Sequence, residues 1–280
     1  MEGIRSPLPA VMEQDIRIPV AQREIDAYLV VPEGPPLRRP AVVVIHEIFG
    51  PDAHIRDVTR RVAAQGYVAV APNLFSGPLQ EVLTPPNVMV AMRALADAPP
   101  GLRGDPSKMA EFAASRPPEQ RPVLNALAEV SNPATQAGFA EDLARVTGQL
   151  RAHPSVDPDR IASVGFCFGG AMSGRLATVD PRLRAAVIFY GQNPPLELVP
   201  KIRAQVLGLY GGEDPGITSK VAEFAAAMKA AGGSFESHVY AGARHAFFND
   251  TRPSNYHRES AEDAWPRVLG FLRTEFARPA

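Results

Sequence analysis

The chain has 280 residues, of which 45% are apolar and 21% are charged, as in an ordinary water-soluble globular protein. Its net charge of −1, from 29 Lys and Arg against 30 Asp and Glu, gives no electrostatic case for a nucleic-acid or anionic-membrane partner. One cysteine excludes an internal disulfide and a cysteine-rich zinc site. No apolar run approaches the roughly 18 residues that span a bilayer, and Met1–Pro9 does not resemble a signal peptide, so we expect a cytoplasmic protein.

The first elements have the patterns of an edge hairpin followed by buried parallel strands. Asp15–Ile18 and Ile25–Val30 alternate polar and apolar residues, which predicts a β-hairpin. Ala41–Ile45 and Tyr67–Ala71 are continuously apolar, as in parallel strands that are buried on both faces. Between them, Ile55–Gln65 has the periodicity of a helix.

The region from Asn73 to about Gly138 has a different composition. It holds many of the 29 prolines and only short helix-like pieces such as Asn87–Ala96. No continuous core pattern supports an independent unit there. We therefore predict an irregular Pro-rich excursion, or a mobile lid, at residues 73–138 within a single domain formed by residues 1–280.

In the second half of the chain, strands again alternate with helices. A helix is predicted over Phe139–Ala152, and a last helix over Glu259–Phe276, where Pro266 indicates a kink or the real start. This alternation predicts an α/β fold with a mostly parallel central sheet and helices on both faces. The predicted strands are Ile161–Val164, Ala185–Tyr190, Gln205–Tyr210 and Phe235–Tyr240.

The stretch Val164–Gly170 carries the strongest chemical signal. A strand leads into Gly-Phe-Cys-Phe-Gly and then into a helix, the pattern of the α/β-hydrolase nucleophile elbow with Cys167 in the serine position. The sharp turn needs small neighbours, and the helix N-terminus favours a thiolate. The alternative is a buried apolar cysteine, which is the commoner fate of a lone cysteine.

Two further residues complete a candidate catalytic triad. In α/β-hydrolases the acid and the histidine follow the nucleophile in chain order, each after a strand. Asp214 and His245 follow Cys167 in this way, at the carboxyl edge of the sheet where ligands bind. Taken singly, Asp214 has the alternative role of a turn former, and the adjacent Glu213 is a competing acid.

The loop after the third strand, His46-Glu47-Ile48, predicts the rest of the site. An oxyanion hole needs two donors, and we expect the N–H groups of Phe168 and Ile48 to supply them. A carboxylate at Glu47 would lie close to the thiol and would be able to take its proton. The alternative for Glu47 is a solvated loop residue.

Taken together, these motifs resemble the dienelactone hydrolases, or carboxymethylenebutenolidases, of the α/β-hydrolase superfamily. The resemblance implies Cys167 as nucleophile, His245 as general base and acid, Asp214 as its orienter, and Glu47 as the group that activates the resting thiol. The matching stretches are His46–Gly50, Gly165–Gly170, Gly211–Asp214 and His245–Asp250.

The substrate pocket departs from the pattern of that family. The founding enzymes hold an anionic lactone with two arginines, one after the strand that corresponds to Tyr67–Ala71 and one just beyond the catalytic histidine. Here both neighbourhoods lack arginine and contain Phe75 and Phe247, and Arg244 precedes the histidine. We predict these three side chains as substrate-binding residues.

The expected activity is hydrolysis of a small-molecule ester or lactone through a cysteine acyl-enzyme. No cofactor and no metal are expected, and the protein is expected to be a monomer or a homodimer. One alternative is a non-catalytic ligand-binding or thiol-sensor protein that retains the fold. A metal site at His46, Glu47 and His245 is a further alternative, but a ligand spacing such as His-x-x-x-His is missing from the sequence.

Overall fold

The central element of the fold is one eight-stranded sheet. The computed structural model describes residues 10–35, 37–96, 98, 102 and 106–279. The strands of this part of the chain are β1 Val11–Val20, β2 Arg23–Pro32, β3 Arg39–Ile45, β4 Val68–Pro72, β5 Val156–Phe166, β6 Ala185–Phe189, β7 Gln205–Gly211 and β8 Phe235–Tyr240. They lie in the order β1-β2-β4-β3-β5-β6-β7-β8.

The strand directions confirm the prediction of a mostly parallel sheet. β1 and β2 form an antiparallel hairpin, and β2 pairs antiparallel with β4. All the other pairs are parallel. Parallel strands bring their carboxyl ends to one edge, so the loops after β3, β5, β6, β7 and β8 meet there.

The connecting segments are mainly helical. The α-helices are α1 Ala53–Ala63, α2 Pro78–Val82, α3 Pro85–Ala96, α4 Pro106–Ala114, α5 Arg121–Ser131, α6 Pro133–Ala152, α7 Phe168–Val179, α8 Pro215–Thr218, α9 Val221–Ala230 and α10 Arg258–Ala277, with a 3₁₀ helix at Leu196–Lys201. Hydrophobic residues are buried on both faces of the sheet. Along β3, Val43 and Ile45 belong to one core cluster, whereas Val42 and Val44 belong to the other. This alternation is the period-2 pattern of a strand between two helical layers.

The segment at residues 73–138 contains more helix than its prolines indicated. Its described residues include α2 to α5 and the beginning of α6, and part of it (residues 97, 99–101 and 103–105) lies outside the described residues. Pro78, Pro85, Pro106 and Pro133 are each the first residue of a helix. Proline is well tolerated there because its missing N–H would have no partner in the first turn. These four prolines therefore mark helix starts.

The starts of α6 and α10 show how caps and prolines act in this chain. α6 begins at Pro133, earlier than the predicted Phe139, because the Asn132 side chain accepts a hydrogen bond from the N–H of Ala134 and caps the helix. α10 begins at Arg258 and continues through Pro266, which is therefore not its start.

We expect two glycine substitutions to have opposite effects on stability. A Cβ at Gly165 would lie 1.9 Å from the backbone oxygen of Gly169, so Gly165→Ala should lower the free energy of unfolding by about 3 kcal/mol or more. The matched control is Gly148, inside α6, where a Cβ would have nothing within 4 Å. Gly148→Ala should raise the free energy of unfolding by about 0.5–1 kcal/mol. Urea unfolding measures both, and a loss below about 1 kcal/mol for Gly165→Ala would contradict the close contact.

Candidate active site

The candidate nucleophile lies on the turn between β5 and α7. β5 ends at Phe166, α7 begins at Phe168, and Cys167 between them has φ 55° and ψ −114°. A positive φ is a strained conformation for a residue with a side chain. The backbone of Cys167 is held by a 3.0 Å hydrogen bond from its N–H to the Phe189 carbonyl. The thiol is partly exposed at the N-terminus of α7.

Glycines on either side make this turn possible. A Cβ at Gly169 would lie 2.2 Å from the carbonyl oxygen of Ile45, and one at Gly170 would lie 2.6 Å from that of Phe189. Both distances are shorter than real Cβ atoms tolerate, so the first turn of α7 packs directly on the ends of β3 and β6. As a result, Cys167 and the loop after β3 are neighbours.

Asp214 and His245 form a hydrogen-bonded pair at the same edge of the sheet. Nδ1 of His245 lies 2.6 Å from Oδ2 of Asp214, and because a carboxylate only accepts, the ring nitrogen donates. Their side chains are 36% and 14% exposed, respectively. Glu213, the competing acid, is exposed to solvent.

The imidazole of His245 is held in its charged form. Burial by itself would lower its pKa, but the charge on Cys167 and the hydrogen bonds to Asp214 and Cys167 raise the pKa to about 11. Because this value lies above the ordinary 6.5, the pair contributes stability below pH 6.5 that is lost as the pH rises through about 11. At neutral pH the ring of His245 is therefore positively charged.

Glu47 is a buried carboxylate in the same region. Its Oε2 accepts a 2.7 Å hydrogen bond from Nδ2 of Asn249, and its Oε1 accepts a 3.3 Å bond from the Tyr190 hydroxyl. Nε of Arg252 lies 4.0 Å from Oε2. Burial raises the pKa of Glu47, and the bond from Asn249 opposes that rise. Tyr190 connects this group to His245, whose ring centroid lies 5.2 Å from that of the tyrosine.

Backbone strain is concentrated around these groups. In the described part of the chain, the residues other than glycine with positive φ are Ala21, Cys167, Tyr190 and Ala246. Ala21 lies in the turn between β1 and β2, whereas the other three adjoin the site. Such strain persists only where the surrounding structure enforces it, and it clusters at functional sites.

The predicted substrate-binding residues lie in different surroundings. Phe75 is only 1% exposed and packs against the rings of His46 and Phe168. Phe247 is fully buried and packs against Tyr190 and Tyr240. Both side chains thus support the site from within the protein core, whereas Arg244 is exposed.

Three side chains at the site did not emerge from the sequence patterns. They are the partners of Glu47: Tyr190, Asn249 and Arg252. Two signals were available, since Tyr190 is the last residue of the predicted strand Ala185–Tyr190 and Asn249 lies inside the motif His245–Asp250. Arg252 lies farther along that loop, and its guanidinium carbon is 3.4 Å from the ring centroid of Phe49.

The alternative of a metal site meets a chemical obstacle at His46. Its Nδ1 lies 2.6 Å from the Glu47 carbonyl oxygen, and its Nε2 accepts a 3.1 Å hydrogen bond from the N–H of Leu74. Both ring nitrogens are therefore engaged with the backbone, and neither presents a free lone pair to a metal ion.

The chain is similar to known proteins over most of its length. The family model described as the dienelactone hydrolase family matches residues 25–276, which include all the elements from β2 to most of α10. The chain belongs to the dienelactone hydrolase family. The expectation of a hydrolase that acts on ester or lactone bonds is thereby confirmed.

Relatives of this dienelactone hydrolase family member match it over nearly their whole length. A protein of Saccharolobus solfataricus, provisionally named carboxymethylenebutenolidase, is 37% identical over 266 residues, which are 94% of this chain and 98% of the relative. A protein of Escherichia coli K12 with the same provisional name is 33% identical, with 96% of this chain and 90% of the relative covered. The crystal structure of a provisional dienelactone hydrolase from Klebsiella pneumoniae has a TM-score of 0.69 at 30% identity, over 94% of this chain and 99% of that one. These matches confirm the predicted α/β-hydrolase fold.

A helix that crosses a bilayer needs about 20 predominantly apolar residues. Among the helices that the structure describes, none is both long enough and apolar enough to pass through a membrane.

Substitution of the two neighbouring acids should separate their roles. Asp214→Asn removes the charged acceptor of His245, and we expect kcat to fall by about 10⁴-fold, as on loss of the orienting carboxylate of a serine triad. Glu213→Gln changes an exposed carboxylate that water screens, and kcat should stay within roughly threefold. Steady-state kinetics on a 4-nitrophenyl ester measures both. The reverse order of effects would assign the acid to Glu213.

Proposed function

We propose that this protein hydrolyses a small ester or lactone through a thioester on Cys167. The observation that carries the proposal is the joint placement of three groups. Cys167 lies on a strained turn at a helix N-terminus, it interacts with His245, and His245 donates to Asp214 over 2.6 Å. A nucleophile, a base and an orienting acid in this order are the requirements of acyl transfer.

Acylation begins from the thiolate and imidazolium. The sulfur of Cys167 forms a bond to the carbonyl carbon, and the carbonyl π electrons move to oxygen. When the tetrahedral intermediate collapses, the C–O bond to the leaving alcohol breaks, and protonated His245 donates its proton to that oxygen. In a lactone the leaving oxygen stays attached to the acyl chain.

Deacylation returns the groups to their starting states. Neutral His245 takes a proton from a water molecule, whose oxygen attacks the thioester carbon. The C–S bond then breaks, the thiolate leaves, and the imidazolium beside it is restored. Asp214 holds the Nδ1 proton throughout, so Nε2 is the nitrogen that exchanges protons with the reactants.

The developing oxyanion requires two N–H donors. The N–H of Phe168 is the first in α7 and therefore has no acceptor within its own helix. The loop Glu47-Ile48 lies against this turn because of the contact between Gly169 and the carbonyls of Ile45 and His46. We assign the second donor to the N–H of Ile48.

Glu47 fits a supporting role in thiol activation. Its carboxylate is buried, and burial raises its pKa. Tyr190 contacts both Glu47, through its hydroxyl, and His245, through its ring. A carboxylate that binds protons more readily than usual is suited to accept one from a nearby thiol. In the resting arrangement its oxygens are engaged by Tyr190 and Asn249.

The charges around the site favour a neutral acyl group in the substrate. Arg252 is the guanidinium nearest Glu47, and it also lies 3.9 Å from Asp52, so two carboxylates already face it. Nη1 of Arg252 also contacts the sulfur of Met89 in α3, which brings the segment at residues 73–138 to the border of the site. A substrate carboxylate would therefore compete with Glu47 and Asp52 for Arg252.

The covalent step is tested by modification of the thiol. Because Cys167 lies at a helix N-terminus beside a charged histidine, we expect one equivalent of iodoacetamide to modify it and to abolish turnover. Cys167→Ala should lose turnover and keep the unfolding transition. Incubation of the wild type with a 4-nitrophenyl ester followed by rapid acid quench should give the mass of one added acyl group. Turnover retained by Cys167→Ala would end the covalent mechanism.

Substrate charge is tested with two esters that differ in one group. In 4-nitrophenyl butyrate the acyl chain ends in a methyl group, and in mono-4-nitrophenyl succinate it ends in a carboxylate. A bidentate arginine contact contributes about 2–3 kcal/mol, and because Arg252 already faces two carboxylates we expect kcat/KM to favour the neutral ester by roughly tenfold or more. A preference for the succinate that disappears in Arg244→Gln would instead place an anion site at Arg244.

A further inference from the structure

His46 is a fully buried histidine that the proposed reaction does not use. It directly follows β3, and its ring nitrogens contact the Glu47 carbonyl oxygen at 2.6 Å and the Leu74 N–H at 3.1 Å. A carbonyl oxygen only accepts and an amide N–H only donates, so Nδ1 carries the proton and Nε2 does not. Burial also lowers the pKa of His46 to about 4, which keeps this ring neutral.

The carbonyl that His46 contacts shares a peptide unit with the candidate oxyanion donor. In the described part of the chain all peptide bonds are trans, and in a trans peptide the C=O and N–H point in opposite directions. A group that fixes the direction of the Glu47 carbonyl therefore also fixes the direction of the Ile48 N–H. The N–H of Gly50 lies 3.2 Å from the same oxygen and supplies a second, longer contact.

The ring of His46 also packs on the residue that carries the other donor. Its centroid lies 5.8 Å from that of Phe168 in a stacked arrangement, and 4.7 Å from that of Phe75 at an angle of 67°. The carbonyl oxygen of His46 would lie 2.6 Å from a Cβ at Gly169. The side chain of His46 thus contacts the peptide unit that contains the Ile48 N–H and also the aromatic ring of Phe168, which carries the other donor.

We propose that His46 is a positioning residue for the oxyanion hole. Its neutral ring donates from Nδ1 to the Glu47 carbonyl and so aims the Ile48 N–H at the oxyanion, without itself touching the substrate. This inference rests on the proposed function, since an oxyanion forms only if the reaction passes through a tetrahedral intermediate. If His46 only filled the core, its replacement would reduce ester turnover and thiol alkylation by similar factors.

Two reactions of the same thiol distinguish these roles. Ester hydrolysis develops negative charge on the carbonyl oxygen and needs the oxyanion hole. Alkylation by iodoacetamide forms a bond from the thiolate sulfur to carbon while iodide leaves with its electron pair, so no oxyanion develops. Misdirection of the Ile48 N–H should slow the first reaction and spare the second.

His46→Phe keeps an aromatic ring against Phe75 and Phe168 and removes both hydrogen bonds. We expect its kcat for a 4-nitrophenyl ester to fall about 10- to 100-fold, less than on complete loss of a donor because Gly50 still holds the carbonyl. KM and the alkylation rate should each stay within roughly twofold. His46→Gln supplies a donor and an acceptor in one carboxamide and should restore kcat to within about fivefold.

Other results would overturn the inference. These are wild-type kcat in His46→Phe, equal fractional losses of turnover and alkylation, or a folded His46→Gln variant that is no more active than His46→Phe. If His46→Phe does not fold, His46→Met, which also lacks a donor, is judged by the same criteria. Cys167→Ala is assayed in parallel. Turnover retained there overturns the proposed function, whereas an inactive Cys167→Ala with a fully active His46→Phe overturns only the role of His46.

Discussion

The contact between the first turn of α7 and the ends of β3 and β6 is the constraint on which the site depends. Gly165, Gly169 and Gly170 leave no room there for a Cβ, since each such atom would lie 1.9–2.6 Å from a backbone oxygen. Because the backbones touch, Cys167 must turn sharply, and its thiol emerges at the start of a helix. The same contact places the loop after β3 beside the N–H of Phe168. Backbone packing on a rigid sheet thus positions the proposed nucleophile, the helix dipole and the proposed oxyanion donors.

Electrostatics at the site consists of charges that are buried in pairs. The ring of His245 interacts with Cys167 and donates to Asp214, and the carboxylate of Glu47 faces Arg252. Burial by itself lowers the pKa of His245 and raises that of Glu47, so the charged forms of these two groups depend on their partners. The Tyr190 ring lies between the two pairs: its hydroxyl donates to Glu47, and its ring packs against that of His245. Burial is the main cause of the raised pKa of Glu47, and the charge on His245 opposes it, so the protonation of one of these groups affects the other.

Aromatic packing supports the site from within the protein core. Phe75 and Phe168 pack against His46, and Phe139 packs against both of them. On the other side of the sheet, Phe189 and Phe247 pack against Tyr190. Buried rings limit the movement of the groups that they contact, because a close-packed core resists displacement.

The sequence by itself determined the features that depend on neighbouring residues. The α/β-hydrolase sheet and its carboxyl edge were predicted from the apolar runs, the turn around Cys167 and the positions of Asp214 and His245 after strands. This was possible because strand periodicity and a glycine-flanked turn are local patterns. Only the tertiary structure decided the surroundings of Glu47, whose partners Tyr190 and Asn249 lie 143 and 202 residues away. It also decided the interior positions of Phe75 and Phe247, since burial reflects what packs on a residue from distant segments. The helices at residues 73–138 were also decided only by the tertiary structure. A proline disfavours a helix interior but favours a helix start, and composition alone does not distinguish these two positions.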